Sequence, residues 1–418
     1  MSSDFTRLGI TNKNERTRNK YYKTDVARTL QHTRWLLEIL GVWPLVKKNP
    51  TTWEIGRSKC LISLCSILMA FIMIPCTLHM ILMEKNPLVK LMLFGPIGFC
   101  LTNILKYCSI IYRRDIIENC INHVEFDLMR IDNQHDREIM ERNVNVGRNL
   151  TVLCAVFMYT GGLSYHTIMP LWRGNEINEF NKTIRPLVYP GYDIFFDSQT
   201  SPNYEFIFYT NCISACVTYT ITTAACNLAA VFVAHTCGQI EIMMSRLRTL
   251  FDGTDDIRNT DILHHRLGFV IHSHTRVLRF TSIIETLLRE ICLVEVVAST
   301  LIICLLEYYC LTEWENSETI AIITYLVLLL SLSFNIYIFC HIGELLKEQC
   351  QKIGKAAYMM NWYRLPSKSG RALVMVLAIS NYPRKLTAGR MMELSVRSFG
   401  TIIKTSVIYL NMLRAMAD

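Results

Sequence analysis

Six stretches of this chain are each long and apolar enough to cross a bilayer: about residues 60–83, 87–112, 150–172, 205–234, 293–311 and 318–342. A hydrocarbon core of about 30 Å takes roughly 20 apolar residues as a helix. Inside it every backbone N–H and C=O must be satisfied within the segment, so repeated runs of this kind build a helical bundle. Residues 391–416 form a seventh, weaker candidate because polar side chains interrupt them. Composition agrees, with 51% of the 418 residues hydrophobic and 19% charged. The expected fold is all-α, a polytopic membrane protein with seven transmembrane helices.

The net charge of +8 would suit a nucleic-acid partner, but its distribution argues against one. Of the 43 Lys and Arg, 33 fall in residues 1–59, 113–149, 235–282 and 343–390, against five in the alternate segments 84–90, 171–203 and 312–317. Basic residues collect on the cytoplasmic side. The N-terminus is therefore expected in the cytoplasm and, after seven spans, the C-terminus outside. No short apolar core follows the initial Met, so no cleavable signal is expected, and the first span serves as anchor. Asn181, in Asn181-Lys182-Thr183, is a glycosylation candidate in an outer loop. The 16 Cys lie mostly within or near apolar runs and read as packing residues, with Cys310 the one to check for a disulfide.

The chain divides into a cytoplasmic segment with an amphipathic helix (1–59), a six-span bundle (60–342), a cytoplasmic helical anchor region (343–390) and a last span (391–418). The stretch 33–45 supplies the amphipathic helix, with Trp35 and Trp43 beside leucines. Pro75 and Pro96 interrupt the first two spans, which requires neighbours to satisfy the freed backbone. Enzyme signatures are missing: no phosphate loop, no GxSxG elbow. His264, His265, His272 and His274 come without a Cys pair or HExxH, so they read as surface histidines. No metal and no cofactor is expected. Glu290 and Glu295, beside Arg289, leave a solute transporter as an alternative, although both lie toward the inner end, within reach of water or Arg289.

The last span carries the functional signal. At 100° per residue, Thr401, Lys404, Ile408, Asn411 and Ala415 share one face, with Met412 at its edge. A lipid-facing helix would not align Lys404 with Asn411; a helix lining water would. One such helix encloses nothing, but several copies around an axis make a pore. Met412 and Met416 are candidates for an apolar constriction that gates by dewetting.

The elements "AYMMNWYRLP" (357–366), "LTAG" (386–389), Phe399 and "KTSVIYLNMLR" (404–414), in order, resemble the C-terminal signature of insect odorant receptors. "HTRVLRF" (274–280) and "STLIIC" (299–304) also look like that family's fifth helix. The resemblance implies a ligand-gated cation channel, a heterotetramer with a shared co-receptor, in the plasma membrane of sensory dendrites. It also implies that the anchor region joins subunits, and that the constriction falls on Met412 with Ala415 and Met416 one turn outward. The chain lacks the co-receptor's long insertion between helices 4 and 5, so it looks like an odorant-specific subunit. A gustatory receptor-type channel is the second reading, since Ile408-Tyr409 stands without a closing Gln-Phe.

The same resemblance places the ligand pocket in the outer half of helices 2, 3, 4 and 6. Those stretches offer Leu91, Phe94 and Phe99; Met158, Tyr159, Gly162, Tyr165 and His166; Phe208, Tyr209, Cys212 and Ile213; and Ile322 and Tyr325. With no Asp, Glu, Lys or Arg among them, a charged ligand would lack a partner, and a small neutral volatile is expected.

Overall fold

A computed structural model describes residues 19–131, 133–168, 170, 176–177, 183–185, 187–195, 197–252, 260–315 and 319–417. Eleven α-helices are described: α1 (Tyr22–Ile39), α2 (Trp43–Val46), α3 (Thr52–Leu78), α4 (Pro87–Tyr112), α5 (Arg114–Met129), α6 (Gln134–Leu163), α7 (Asn203–Arg248), α8 (Thr260–Glu315), α9 (Thr319–Met359), α10 (Ser367–Ser380) and α11 (Val396–Ala417). Two antiparallel two-residue hairpins accompany them: β1 (Glu176–Ile177) with β2 (Thr183–Ile184), and β3 (Thr387–Ala388) with β4 (Met392–Glu393). The fold is all-α in its architecture.

Among the described residues, five helical stretches are long and apolar enough to cross a membrane: Thr52–Met83, Val89–Tyr112, Asn203–Arg248, Ile262–Trp314 and Thr319–Met359. α6 and α11 are more polar. The first half of α6 is charged, and α11 carries Arg397, Lys404 and Arg414.

α7 is the central pillar and its most apolar part is almost wholly buried. Its sequence explains this, because the run from Thr220 to Ala234 is mostly Thr, Ala, Cys, Asn and Val. Lipid gives little hydrophobic drive between helices, so small residues that allow close approach mark the contacts. Gly147 on α6 sits so near α7 that an added Cβ would lie 2.9 Å from the Ala230 carbonyl oxygen.

Both internal prolines have their freed carbonyls met. Pro96 offers no N–H to the Met92 carbonyl one turn back, and the Tyr309 hydroxyl of α8 donates to that oxygen at 2.6 Å. Pro75 likewise releases Phe71, whose carbonyl lies 3.4 Å from the Tyr192 hydroxyl. Tyr192 comes from the 187–195 segment, which packs on one end of the bundle, here termed the loop end.

At the opposite, basic end, a capping box starts α3: Glu54 N–H donates to Thr51 Oγ1 and Thr51 N–H to Glu54. α1 begins earlier than the Trp-rich stretch alone suggests. Its Leu37 is buried while Trp35 is exposed, and Trp43 opens the separate helix α2. Buried Asp127 of α5 is met by His235 of α7 at 3.1 Å, by His123 at 3.2 Å and by Arg276 of α8. Burial alone would raise its carboxyl, but hydrogen bonds from the two histidines outweigh that and hold it well below the usual range. Burial pushes His235 down from 6.5, with Asp127 offsetting only part.

One sequence expectation needs correction. Glu295 reaches neither water nor Arg289. It is buried and ion-paired with buried Lys106 of α4, and it accepts hydrogen bonds from Asn335 of α9 and Ser299. Lys106 also lies 3.4 Å from Thr222 of α7. Glu290, half exposed, does pair with Arg289 at 3.6 Å and also with Arg113. All 16 cysteines, Cys310 included, are free thiols.

Candidate ligand cavity and pore helix

Among the described residues, one cavity of about 80 Å³ lies inside the bundle toward the loop end. Five helices and the 187–195 segment build it. α4 supplies Gly95, Pro96 and Phe99, and α6 with the turn beyond it supplies Met158, Gly162, Tyr165 and His166. Tyr219 comes from α7, and Ile302, Leu305, Leu306 and Tyr309 from α8. Tyr325, Leu328, Ser331 and Leu332 come from α9, and Tyr189 closes one side. No Asp, Glu, Lys or Arg lines it.

Local sequence explains the shape. Gly161-Gly162 ends the regular part of α6, and Ser164–Ile168 continues as a π-turn, a form frequent at functional sites. That turn carries Tyr165 and His166 inward. Gly162 has no room to spare, since an added Cβ would meet the Tyr219 ring at 1.9 Å. Gly161 is closed in the same way by Ser331, at 2.2 Å. The two glycines thus let α7 and α9 press against α6 rather than leave open space.

Of the fourteen residues the sequence put forward for ligand contact, Phe99, Met158, Gly162, Tyr165, His166 and Tyr325 line this cavity. The other eight do not. Leu91 packs in the core and Tyr159 bonds Thr220 at 2.6 Å. Phe94, Tyr209 and Ile213 are exposed on the bundle's flank, and Phe208 stacks on Tyr204. Cys212 and Ile322 are half-buried away from it. On α7 the lining residue, Tyr219, lies deeper than the expected stretch by at least six residues, about 9 Å along the helix. The α8 wall went unforeseen, although Ile302, Leu305, Leu306 and Tyr309 repeat at i, i+3, i+4 and i+7, a visible helical stripe.

The last helix, α11, packs on α8 and α9 through Ile402 and Ser406, both buried, with Phe399, Leu410 and Leu413 partly buried. Ser406 Oγ lies 3.3 Å from the Glu307 carboxylate of α8. Thr401, Lys404, Ile408, Asn411, Met412 and Ala415 are all exposed, Ile408 at 63% and Met412 at 60%. The side chain of Met416 and the sequon residue Asn181 lie outside the described residues. Near the basic end, Tyr358, Met359, Trp362, Tyr363, Val374 and Met375 are exposed large side chains on α9, α10 and the turn between them.

Comparison with known proteins gives this geometry a context. Residues 86–407 match the sequence profile described as 7tm Odorant receptor. Odorant receptor 10 of Aedes albopictus is 22% identical over 323 residues, covering 74% of this chain and 80% of that protein. Odorant receptor 13a of Drosophila melanogaster is 23% identical over 260 residues, covering 56% of this chain and 62% of that protein. Among solved structures, the olfactory receptor OR5 of Machilis hrabei in complex with eugenol superposes with a TM-score of 0.73 at 14% identity, covering 95% of this chain and 100% of that one. OR5 without that description of a ligand superposes at 0.70, covering 92% and 98%. The fold is that of the insect olfactory receptors, and with the profile matching most of its length, this chain is a multi-pass membrane protein that belongs to the odorant receptor family.

Proposed function

We propose that this chain is the odorant-specific subunit of a ligand-gated cation channel, which binds a small neutral volatile in the bundle cavity and opens a pore shared with a co-receptor. The observation that carries the reading is the exposed face of α11. A helix already packed on one side by α8 and α9 leaves Thr401, Lys404, Ile408, Asn411 and Ala415 exposed in line along the other side. Lipid would penalise Lys404 and Asn411 on such a face. Water along an axis between protomers would not.

In this reading seven spans cross the plasma membrane of a sensory dendrite, the N-terminus and the basic end are cytoplasmic, and α11 ends outside. Asn181 then lies on the outer side, open to glycosylation. The exposed aromatic and methionine side chains of the anchor region meet neighbouring subunits of a tetramer, as contiguous apolar patches do. The apolar ring at Met412 narrows the path, and Ala415 and Met416 stand beyond it. The cavity and the pore helix share α8, because Tyr309 lines the one while Glu307 touches Ser406 of the other. A ligand that fits the open arrangement better than the closed one shifts the population toward opening.

Expression with and without a co-receptor tests this. Odour-evoked cation current is expected with it and little without. Saturating substrate flux with no single-channel events would favour a transporter instead.

A further inference from the structure

Resting on that reading of the cavity, we infer that its ligands are compact aromatic volatiles bearing a hydrogen-bond-accepting oxygen, held by the hydroxyl protons of Tyr219 and Tyr165. Six polar side chains of the wall, His166, Tyr189, Tyr309, Ser331, Tyr219 and Tyr165, carry protons whose acceptors differ.

His166 comes first. Its Nδ1 lies 2.8 Å from the Gly162 carbonyl oxygen, which can only accept, so Nδ1 carries the hydrogen. Among the described residues no carboxylate lines the cavity to support an imidazolium, so the ring is neutral and Nε2 holds a lone pair. The Tyr189 hydroxyl, 2.9 Å from Nε2, therefore donates there and its proton is used. Tyr309 donates to the Met92 carbonyl at 2.6 Å, the acceptor that Pro96 set free. Ser331 donates to the Val327 carbonyl at 2.9 Å.

Tyr219 is different. Its oxygen lies 3.2 Å from His166 Nδ1, a nitrogen whose in-plane position is already occupied by hydrogen. Tyr219 can only accept a share of that hydrogen, and its own proton stays unspent. Tyr165, half-buried, has no hydrogen-bond partner for its hydroxyl among the described residues. Tyr219 and Tyr165 thus offer two protons to a ligand, while the Gly162, Met92 and Val327 carbonyls and the imidazole lone pair already receive hydrogens. A buried hydroxyl proton without an acceptor is costly, so a ligand oxygen that accepts is favoured over a hydrocarbon of the same shape. The ring walls set the second requirement. Phe99 and Tyr219 lie 5.9 Å apart, and Tyr309 and Tyr325 5.5 Å apart, tilted faces that suit edge and face contacts with another ring.

The test compares three near-isosteres on the receptor expressed with its co-receptor: acetophenone, α-methylstyrene, in which CH₂ replaces the carbonyl oxygen, and cyclohexyl methyl ketone. Thermal stabilisation of the purified receptor in lipid nanodiscs by each compound is read in parallel. Acetophenone is expected to act at about tenfold lower concentration than α-methylstyrene, the size of one net hydrogen bond. It should act at about fivefold lower concentration than cyclohexyl methyl ketone, the size of one aromatic pair; equal potency of the two ketones would remove the aromatic requirement. In the double variant Tyr165→Phe/Tyr219→Phe its advantage over α-methylstyrene should shrink toward one, with the α-methylstyrene response kept. Equal potency of acetophenone and α-methylstyrene, an advantage untouched by the double variant, or no stabilisation by acetophenone would overturn the inference. If other volatiles still evoke current in that case, the channel reading stands. If acetophenone stabilises the receptor in the expected order but no current follows, the channel reading falls and the ligand class stands.

Discussion

A methyl group added at Gly162 would have to share space with the Tyr219 ring, and this makes that position the most sensitive in the cavity. Gly162→Ala should move Tyr219 and raise the ligand concentration for half-maximal current on the order of tenfold, while single-channel conductance stays unchanged. A dose–response series read alongside unitary currents checks both halves. Tyr325→Ala, which opens the α9 wall, should likewise change sensitivity and not conductance. Gly162, Tyr165 and His166 were legible through the family resemblance, which put the pocket in the outer half of the third span. The sequence could not show how deep on α7 the cavity sits. That depth follows from where Gly162 admits a ring, a contact between residues 57 positions apart. Nor could it show that the Glu295 carboxylate finds Lys106, since partners on different spans leave no local pattern.

At the scale of elements, α11 and the polar seam beneath the cavity make separate predictions. Met412→Ala should alter conductance or leak without moving ligand sensitivity, as judged from single-channel records at saturating odorant. Unchanged currents would remove Met412 from the constriction. Lys106→Met leaves the Glu295 carboxylate buried and unpaired, at a cost of about 3–5 kcal/mol, whereas the double change Lys106→Met/Glu295→Leu should recover much of the lost thermal stability. The polar face of α11 was readable from spacing alone, since only five residues at helical intervals had to be aligned. The wall that α8 gives the cavity was readable as a stripe but ambiguous in direction, because an apolar stripe does not say whether it meets lipid, core or ligand.

For the whole molecule, arrangement across the membrane is the first thing to measure. An N-terminal epitope should stain only after permeabilisation and a C-terminal one on intact cells; the reverse would refute the proposed orientation. Acidity acts on the basic end. His235 is held below its ordinary value, so its neutral form contributes stability that is full above about pH 6.5 and is lost as pH falls through its lowered value. Asp127, also lowered, adds a second loss only below about pH 4. Thermal melts of the purified protein from pH 7.5 to 5.5 should therefore decline, and His235→Gln should flatten that decline. The long rod α8 has one more consequence. At 100° per residue, Glu307 points about 200° away from Tyr309. In the proposed reading, one flank of the rod meets the ligand and the opposite flank holds the helix that lines the pore. On that reading the ligand flank can change to suit another compound while the flank that touches Ser406 stays as it is.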